Sequence, residues 1–358
     1  MKLPVRILLA VLCAAMILAM PFAISSPKLL SEASDYVSSG ESYEVETEEE
    51  SLLRFLFPSA CAEEAEEEEE EQVHYELAYD FEPAPKPDAA GYTENGYADA
   101  SITVEMETRE QDGVIWRIAY VEIQDPSQIR IALAGDFNKK GNYTSTKTAT
   151  VKAMAQKNNA IVALNGDYFA DDQVKRSFEF RMFQPVNKSV PKTNKTKDIL
   201  IIDENGDFHT FIKSQGITVG KKAKLNDELQ DNITAEGVEG RILHAFTFGP
   251  ALVKEGELLQ VDTGYGYNPN GREPRSAIGQ LGPLSYVMVV AEGRGDSVGV
   301  THQELADFMF LLGCQEAYNL DGGGTAAIYY QGEYYNDLGG SERSVSDIIY
   351  FASAVTEE

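Results

Sequence analysis

The chain has 358 residues, 58 of them acidic and 30 basic, for a formal net charge of −28. This balance argues against nucleic acid as a partner, because neutralising phosphates takes clustered Lys and Arg. The length admits one large domain or two ordinary ones, and the three cysteines (Cys13, Cys61, Cys314) give no disulfide framework.

At the N-terminus, Lys2 and Arg6 precede an apolar run from Ile7 to Ala23, the order of a targeting segment. No small-x-small cleavage site follows Ala23, so residues 1–23 read as a signal peptide or as an uncleaved N-terminal membrane anchor. Either reading exports the rest of the chain. Between Glu41 and Glu82 there are 17 acidic residues and one basic residue, Arg54, so over half of the net charge lies there. Pro83, Pro85 and Pro87 follow. Such a stretch repels itself and buries too little to offset chain entropy, so residues 24–100 read as a flexible acidic spacer. Leu52-Leu53-Arg54-Phe55-Leu56-Phe57 is the exception, reading as a short helix or a partner-docking patch, and Ala60-Cys61-Ala62 resembles a peptidase site.

From Ser101 onward the chain is strand-rich, and residues 101–358 read as the globular domain. Ile102 to Met106 and Val114 to Ile123 alternate apolar and polar residues around Asp112-Gly113, which predicts a hairpin. Ile129 to Leu133 predicts a strand, and Ile199 to Asp203 and Phe208 to Ile212 predict a second hairpin across Asn205-Gly206. The acidic residues of that turn lack the downstream pattern of a calcium loop. A short helix is expected over Thr150 to Lys157, and a longer one after the capping box Thr301-His302-Gln303-Glu304, ending at Gly313. This gives Glu304 a structural role and places His302 at an exposed helix start. Cys314 reads as a small apolar residue near the helix end.

Each helix leads through a short turn into a strand and then an Asn/Gly/Asp-rich break. The first break is Asn165-Gly166-Asp167-Tyr168-Phe169, the second Asn319-Leu320-Asp321-Gly322-Gly323-Gly324. The repetition suggests a weak internal duplication with both breaks converging on one cleft. The predicted fold class is α+β, a mixed, largely antiparallel sheet with packed helices.

Five further segments share the chain order of one family. They are Gly249-Pro250, Arg275-Ser276-Ala277-Ile278-Gly279, Glu292-Gly293-Arg294, the Thr301 to Gly313 helix and Glu342-Arg343-Ser344-Val345. With the two breaks, these seven motifs resemble the phosphodiester glycosidases over roughly residues 115–355. Ser344 stands where the family more often shows proline, and Asp347 near a position often filled by asparagine, which leaves substrate preference open.

The resemblance implies hydrolysis of the bond between a sugar anomeric carbon and a phosphodiester oxygen. A phosphate leaving group is a weak base, so it needs less protonation than an alcohol does. The site needs a clamp for phosphate charge and a carboxylate across from it. Arg275, Arg294 and Arg343 are the clamp candidates, since guanidinium groups pair bidentately with phosphate. The amides of Gly322, Gly323 and Gly324 are candidate backbone donors, leaving room for sugar and phosphate. Asp321, Glu292 or Asp167 would activate water or stabilise an oxocarbenium-like centre. Asn165 and Asn319 suit sugar hydroxyls or the orientation of a carboxylate; Gly166 and Tyr168 complete the substrate-binding set, with Tyr168 offering a stacking face. Against these roles, Arg343 can pair with Glu342, and Glu292 with Arg294. No cofactor is required by the sequence, and a divalent cation would find acidic oxygens but no dedicated loop. The expected partner is a sugar-phosphate or phosphoglycan substrate outside the cell or at its surface, with a membrane engaged only through the N-terminal segment. The alternative is a non-catalytic phosphoglycan-binding module on an acidic stalk.

Overall fold

The alternating residues around Asp112-Gly113 build the longest hairpin among the described residues. In the computed structural model, Ile102–Gln111 pairs with Val114–Ile123 in full register, Ile102 opposite Ile123 and Gln111 opposite Val114. Asp112 (φ 54°) and Gly113 (φ 76°) supply the left-handed backbone of the two-residue turn. The structure describes residues 74–139, 141, 143, 145–167, 178–186, 197–220, 227–340 and 342–355. The chain divides into two units, Met1–Gln72 and Val73–Glu358, and all the described residues belong to the second. The N-terminal apolar run, the Leu52–Phe57 patch and Tyr168 lie outside the described residues.

Three sheets dominate. The first has nine strands in the order Tyr92–Thr93, Gly96–Ala98, Ile102–Gln111, Val114–Ile123, Ser285–Ala291, Arg275–Gly282, Glu316–Asn319, Ala251–Lys254 and Glu257–Leu258. The second runs Glu333–Tyr334, Ile328–Tyr330, Val162–Asn165, Asp347–Phe351, Ile129–Leu133. The third runs Phe208–Phe211, Ile199–Asp203, Ile242–Phe246, Phe180–Arg181, Gln184–Pro185. The second hairpin forms across Asn205-Gly206 as its turn residues predict.

Every ladder among the described residues is antiparallel, so the expected mixed sheet is not found there. Short hairpin returns favour that pairing, because parallel neighbours need a long crossover. The fold is predominantly β, with two α-helices among the described residues: α1 (Val151–Lys157) and α2 (His302–Leu311). Both start at the expected caps, Thr150 and Thr301, and the Thr301–Glu304 capping box is complete. Gly313 (φ 87°) ends the second helix.

Period-two alternation assigns the layers. Val162 and Leu164 face a central core shared with Met288, Val290, Leu200 and Phe246, which brings the three sheets together. Ala163, one residue off, faces Val151, Met154 and Ala155 of α1 on the other side. Helix α2 covers the far face of the first sheet, where Leu305, Ala306 and Met309 meet Trp116, Val287 and Val289. Each such buried aliphatic side chain contributes about 1.5–3 kcal/mol. Cys314 is buried beside them, and burial pushes its thiol up to about 12.

The described fold takes in residues on the N-terminal side of Ser101. Tyr97, within the stretch read as spacer, is buried in the central core, and Leu77 and Ala84 pack near α1. Aromatic and aliphatic residues resume after the acid run, and they find apolar partners here. Among the described residues no helix is long and apolar enough to cross a membrane.

Candidate active site

Two strand ends meet at the centre of the motif set. Val162–Asn165 belongs to the second sheet and Glu316–Asn319 to the first, yet the breaks after them touch. The Asn165 side-chain amide donates to the Asp321 carbonyl at 2.7 Å and to the Gly166 carbonyl at 3.1 Å. Its Oδ1 accepts from Ser276 Oγ at 2.7 Å and from the Ala327 N–H at 3.2 Å. Asn165 is therefore fully committed to protein. It orients the Asp321 segment and has no donor left for a sugar.

Asp321 sits at the edge of the resulting recess. One carboxylate oxygen accepts the Gly322 N–H at 2.9 Å and the other accepts Arg343 Nη2 at 2.7 Å. Burial raises its pKa, and Arg343 opposes that rise. The Arg343 side chain is 51% exposed against 10% for Asp321, so the pair spans from interior to solvent. Glu342, the neighbour expected to pair with Arg343, instead accepts the Val151 N–H at 2.9 Å and the Tyr334 hydroxyl.

The three glycines let the backbone close on the first sheet. A Cβ on Gly322 would stand 2.7 Å from the Pro274 carbonyl, and Gly323 takes φ 65°. The Gly323 N–H donates to that carbonyl at 2.8 Å. The amides of Gly322 and Gly323 are thus already engaged, against the expectation of free backbone donors. What the glycines supply is open space flanked by cations. The guanidinium nitrogens of Arg294 lie 3.8 and 3.7 Å from where Cβ atoms on Gly323 and Gly324 would be, and Arg343 Cβ lies 3.4 Å from the latter. Arg294 is exposed, and its guanidinium makes no hydrogen bond or ion pair among the described residues.

The other candidates lie deeper. Glu292 is buried and pairs with Arg117 Nε at 2.7 Å rather than with Arg294, and it also accepts the Asp337 N–H at 2.9 Å. Asp167 is buried against Arg181 Nη2 at 2.9 Å. The same guanidinium meets Glu179 at 3.0 Å and Asp347 at 2.7 Å. One cation among three buried carboxylates leaves excess negative charge, so burial and mutual repulsion push Asp347 up to about 7 and Glu179 well above the usual range. Gly166 is required there: a Cβ would sit 2.1 Å from Asp347 Oδ1.

Arg275 does not present a free clamp. It donates to the carbonyls of Val300, Tyr267, Asn268 and Gly271 and to His302 Nε2, pinning the 267–271 loop. His302 is fully buried rather than exposed, because that loop folds over the start of α2. Asn319 donates to the Gly249 carbonyl at 2.8 Å, while its Oδ1 is buried without a partner. The structure thus gathers Asp321, Arg294, Arg343 and the glycines at one solvent-facing corner and leaves Asn165, Asp167, Glu292 and Arg275 as the framework behind it. Sequence reasoning missed Arg117, Arg181 and Asp347 as that framework. Only the nearby departure at Asp347 hinted at any of them. Among the described residues no group of three or more His, Cys, Asp or Glu side chains is arranged to hold a metal ion.

The sequence model of the phosphodiester glycosidase family matches residues 158–352, more than half of the chain and all of these strand ends. The chain belongs to the phosphodiester glycosidase family. One curated relative within reach is the SPbeta prophage-derived uncharacterized protein YomE of Bacillus subtilis strain 168, 32% identical over 108 residues. That match covers 30% of this chain and 17% of the relative, so the chain spans only a small part of that protein. Among solved structures, the catalytic domain of zebrafish N-acetylglucosamine-1-phosphodiester alpha-N-acetylglucosaminidase, auto-inhibited by its pro-peptide, is similar at TM-score 0.50 and 16% identity, over 77% of this chain and 87% of that one. A hypothetical protein from Synechocystis gives TM-score 0.45 at 16% identity over 70% of this chain and 62% of that one. At 16% identity the zebrafish structure speaks to the fold alone. Of the family motifs, Asn165, Asp321 and Ser276 meet where the two strand ends converge, whereas the Thr301 to Gly313 helix covers the far face of the first sheet.

Proposed function

We propose that this domain hydrolyses the bond between a sugar anomeric carbon and a phosphodiester oxygen at the corner formed by Asp321, Arg294 and Arg343. The observation that carries this reading is Arg294, an exposed guanidinium beside Gly323 and Gly324 that pairs with no carboxylate among the described residues. A planar fork of donors next to side-chain-free backbone suits a phosphodiester. Arg343 would complete the clamp from the other side while holding Asp321 ionised.

The chemistry then needs little from the protein beyond positioning and charge. Water adds to the anomeric carbon, the bond from that carbon to the phosphate oxygen breaks, and the phosphomonoester leaves with the electron pair. Asp321 takes the proton from water or stabilises the positive charge developing on the sugar, and its raised pKa makes it a stronger base. The arginines neutralise charge building on the leaving phosphate. The substrate would be a sugar-1-phosphodiester in an extracellular glycan or surface polymer, reached through export by the N-terminal segment.

Release of free sugar from an N-acetylglucosamine-1-phosphodiester is the direct test. Wild type should release it and Asp321→Ala should not. Tight binding of the diester without release by wild type would instead make the domain a phosphoglycan-binding module.

A further inference from the structure

Lys197 lies before the strand Ile199–Asp203 and belongs to none of the motifs. Its ammonium sits 3.7 Å from the ring centroid of Tyr267 and 4.8 Å from that of Tyr265. It is partly buried and pairs with no carboxylate among the described residues. The adjacent Asp198 is already engaged by the N–H groups of Lys213 at 2.8 Å and Ala251 at 2.9 Å.

A second unsatisfied group stands nearby. Arg275 Nη1 donates to the Tyr267 carbonyl at 3.1 Å and meets His302 Nε2 at 2.9 Å. A guanidinium only donates, so Nε2 is the acceptor and the imidazole hydrogen resides on Nδ1. That Nδ1–H is buried and has no partner. A buried donor left unpaired bears its full desolvation cost, so such groups usually mark a missing acceptor. Asp198 acts on Lys197 and Glu273 on Arg275, but neither offsets the cost of burying these cations. Burial first, and then mutual repulsion, pushes His302 down to about 3, while burial lowers Lys197 to about 8 and Arg275 to about 10. The corner adjoins the cleavage site through the chain itself. The Pro274 carbonyl takes the Gly323 N–H, and the next residue is Arg275.

We propose that Lys197 and the Nδ1–H of His302 form a second anion subsite, holding a further phosphate of the substrate beside the diester that is cleaved. This rests on the assignment of Asp321, Arg294 and Arg343 as the cleavage site, and it narrows the substrate class to glycans that carry phosphates in series. The unpartnered Asn319 Oδ1, whose amide is held by the Gly249 carbonyl, would accept a sugar hydroxyl of the same substrate.

The subsite is tested without turnover by titrating inorganic phosphate, with calorimetric detection, into an Arg294→Met/Arg343→Met variant that lacks the other anion site. Phosphate should still bind. Adding Lys197→Met should weaken it at least about tenfold, since a charge-assisted contact is lost. Lys197→Arg should recover part of the affinity, which separates loss of charge from loss of fold. No phosphate binding in the double variant, or binding indifferent to Lys197→Met, overturns the proposal. In the kinetic arm, wild type should favour a diester whose aglycone carries a second phosphate over the methyl diester, and Lys197→Met should collapse that ratio. If neither diester is cleaved but the titration behaves as expected, the hydrolase reading fails and the anion subsite stands.

Discussion

The side-chain amide of Asn165 reaches the backbone carbonyl of Asp321 at 2.7 Å, tying the second sheet to the first at the point where both strands end. Because the other side of the same amide accepts from Ser276 and Ala327, one side chain sets the geometry of three segments. Asn165→Ala would leave a buried hydroxyl, a buried N–H and a buried carbonyl unpaired. Such groups cost about 1–3 kcal/mol each before relaxation, so a net loss of about 3 kcal/mol is expected. Urea unfolding measures it, and an unchanged midpoint would contradict the role given to Asn165.

Arg294→Ala should separate activity from stability. The side chain is exposed and makes no ion pair among the described residues, so unfolding should shift by no more than about 0.5 kcal/mol. Cleavage should fall about a hundredfold or more through lost stabilisation of the leaving phosphate. A variant with wild-type kcat/KM removes Arg294 from the site.

Asp321→Asn keeps the shape of the carboxylate and an acceptor for the Gly322 N–H, but not the base. Turnover should drop by at least about a thousandfold, in line with loss of a chemically acting carboxylate. Substrate binding, measured by calorimetry on the inactive variant, should persist. Residual turnover within tenfold of wild type would move the chemistry to another carboxylate.

The Arg181 cluster makes stability depend on pH. Asp347 ordinarily titrates at 3.8, and in the folded protein burial and Asp167 raise it to about 7 despite Arg181. Between those values the folded state holds a proton that the unfolded chain has released. The corresponding stability is fully present below about pH 4 and is lost as pH rises through about 7. Denaturant midpoints should therefore decline from pH 5 to pH 8, and Asp347→Asn should flatten that decline. A flat wild-type profile would mean that the three carboxylates share their charge differently.

Gly166→Ala places a methyl group 2.1 Å from Asp347 Oδ1, inside a cluster already held by Arg181 at 2.7 Å. Either the strand end or the ion cluster must shift, and both outcomes disturb the Asp167 and Asp321 segments. A loss of about 2–3 kcal/mol is expected, as for other overpacked interiors. Restoration by Gly166→Ala/Asp347→Ala would identify the contact responsible, and its failure would place the strain elsewhere.

Local structure and family were legible in the order of the residues alone. Asp112-Gly113 and Asn205-Gly206 specify their hairpins because two-residue turns need left-handed backbone. Thr150 and Thr301 start their helices because a side-chain oxygen there satisfies an otherwise unpaired N–H. Seven ordered motifs were enough for the phosphodiester glycosidase resemblance, since each depends on neighbours a few residues away. The side-chain partners were another matter. Glu292 lies two residues from Arg294 yet pairs with Arg117, 175 positions distant. Asp167, Glu179 and Asp347 meet on Arg181 from three segments. Arg275 looked like a clamp and is a loop anchor, while Lys197 carried no signal at all and lies over two tyrosine rings with no carboxylate partner among the described residues. Which charges are spent on the framework and which are left for a ligand is settled by sheet register and burial. Those bring together residues far apart in the chain, and no local spacing records them.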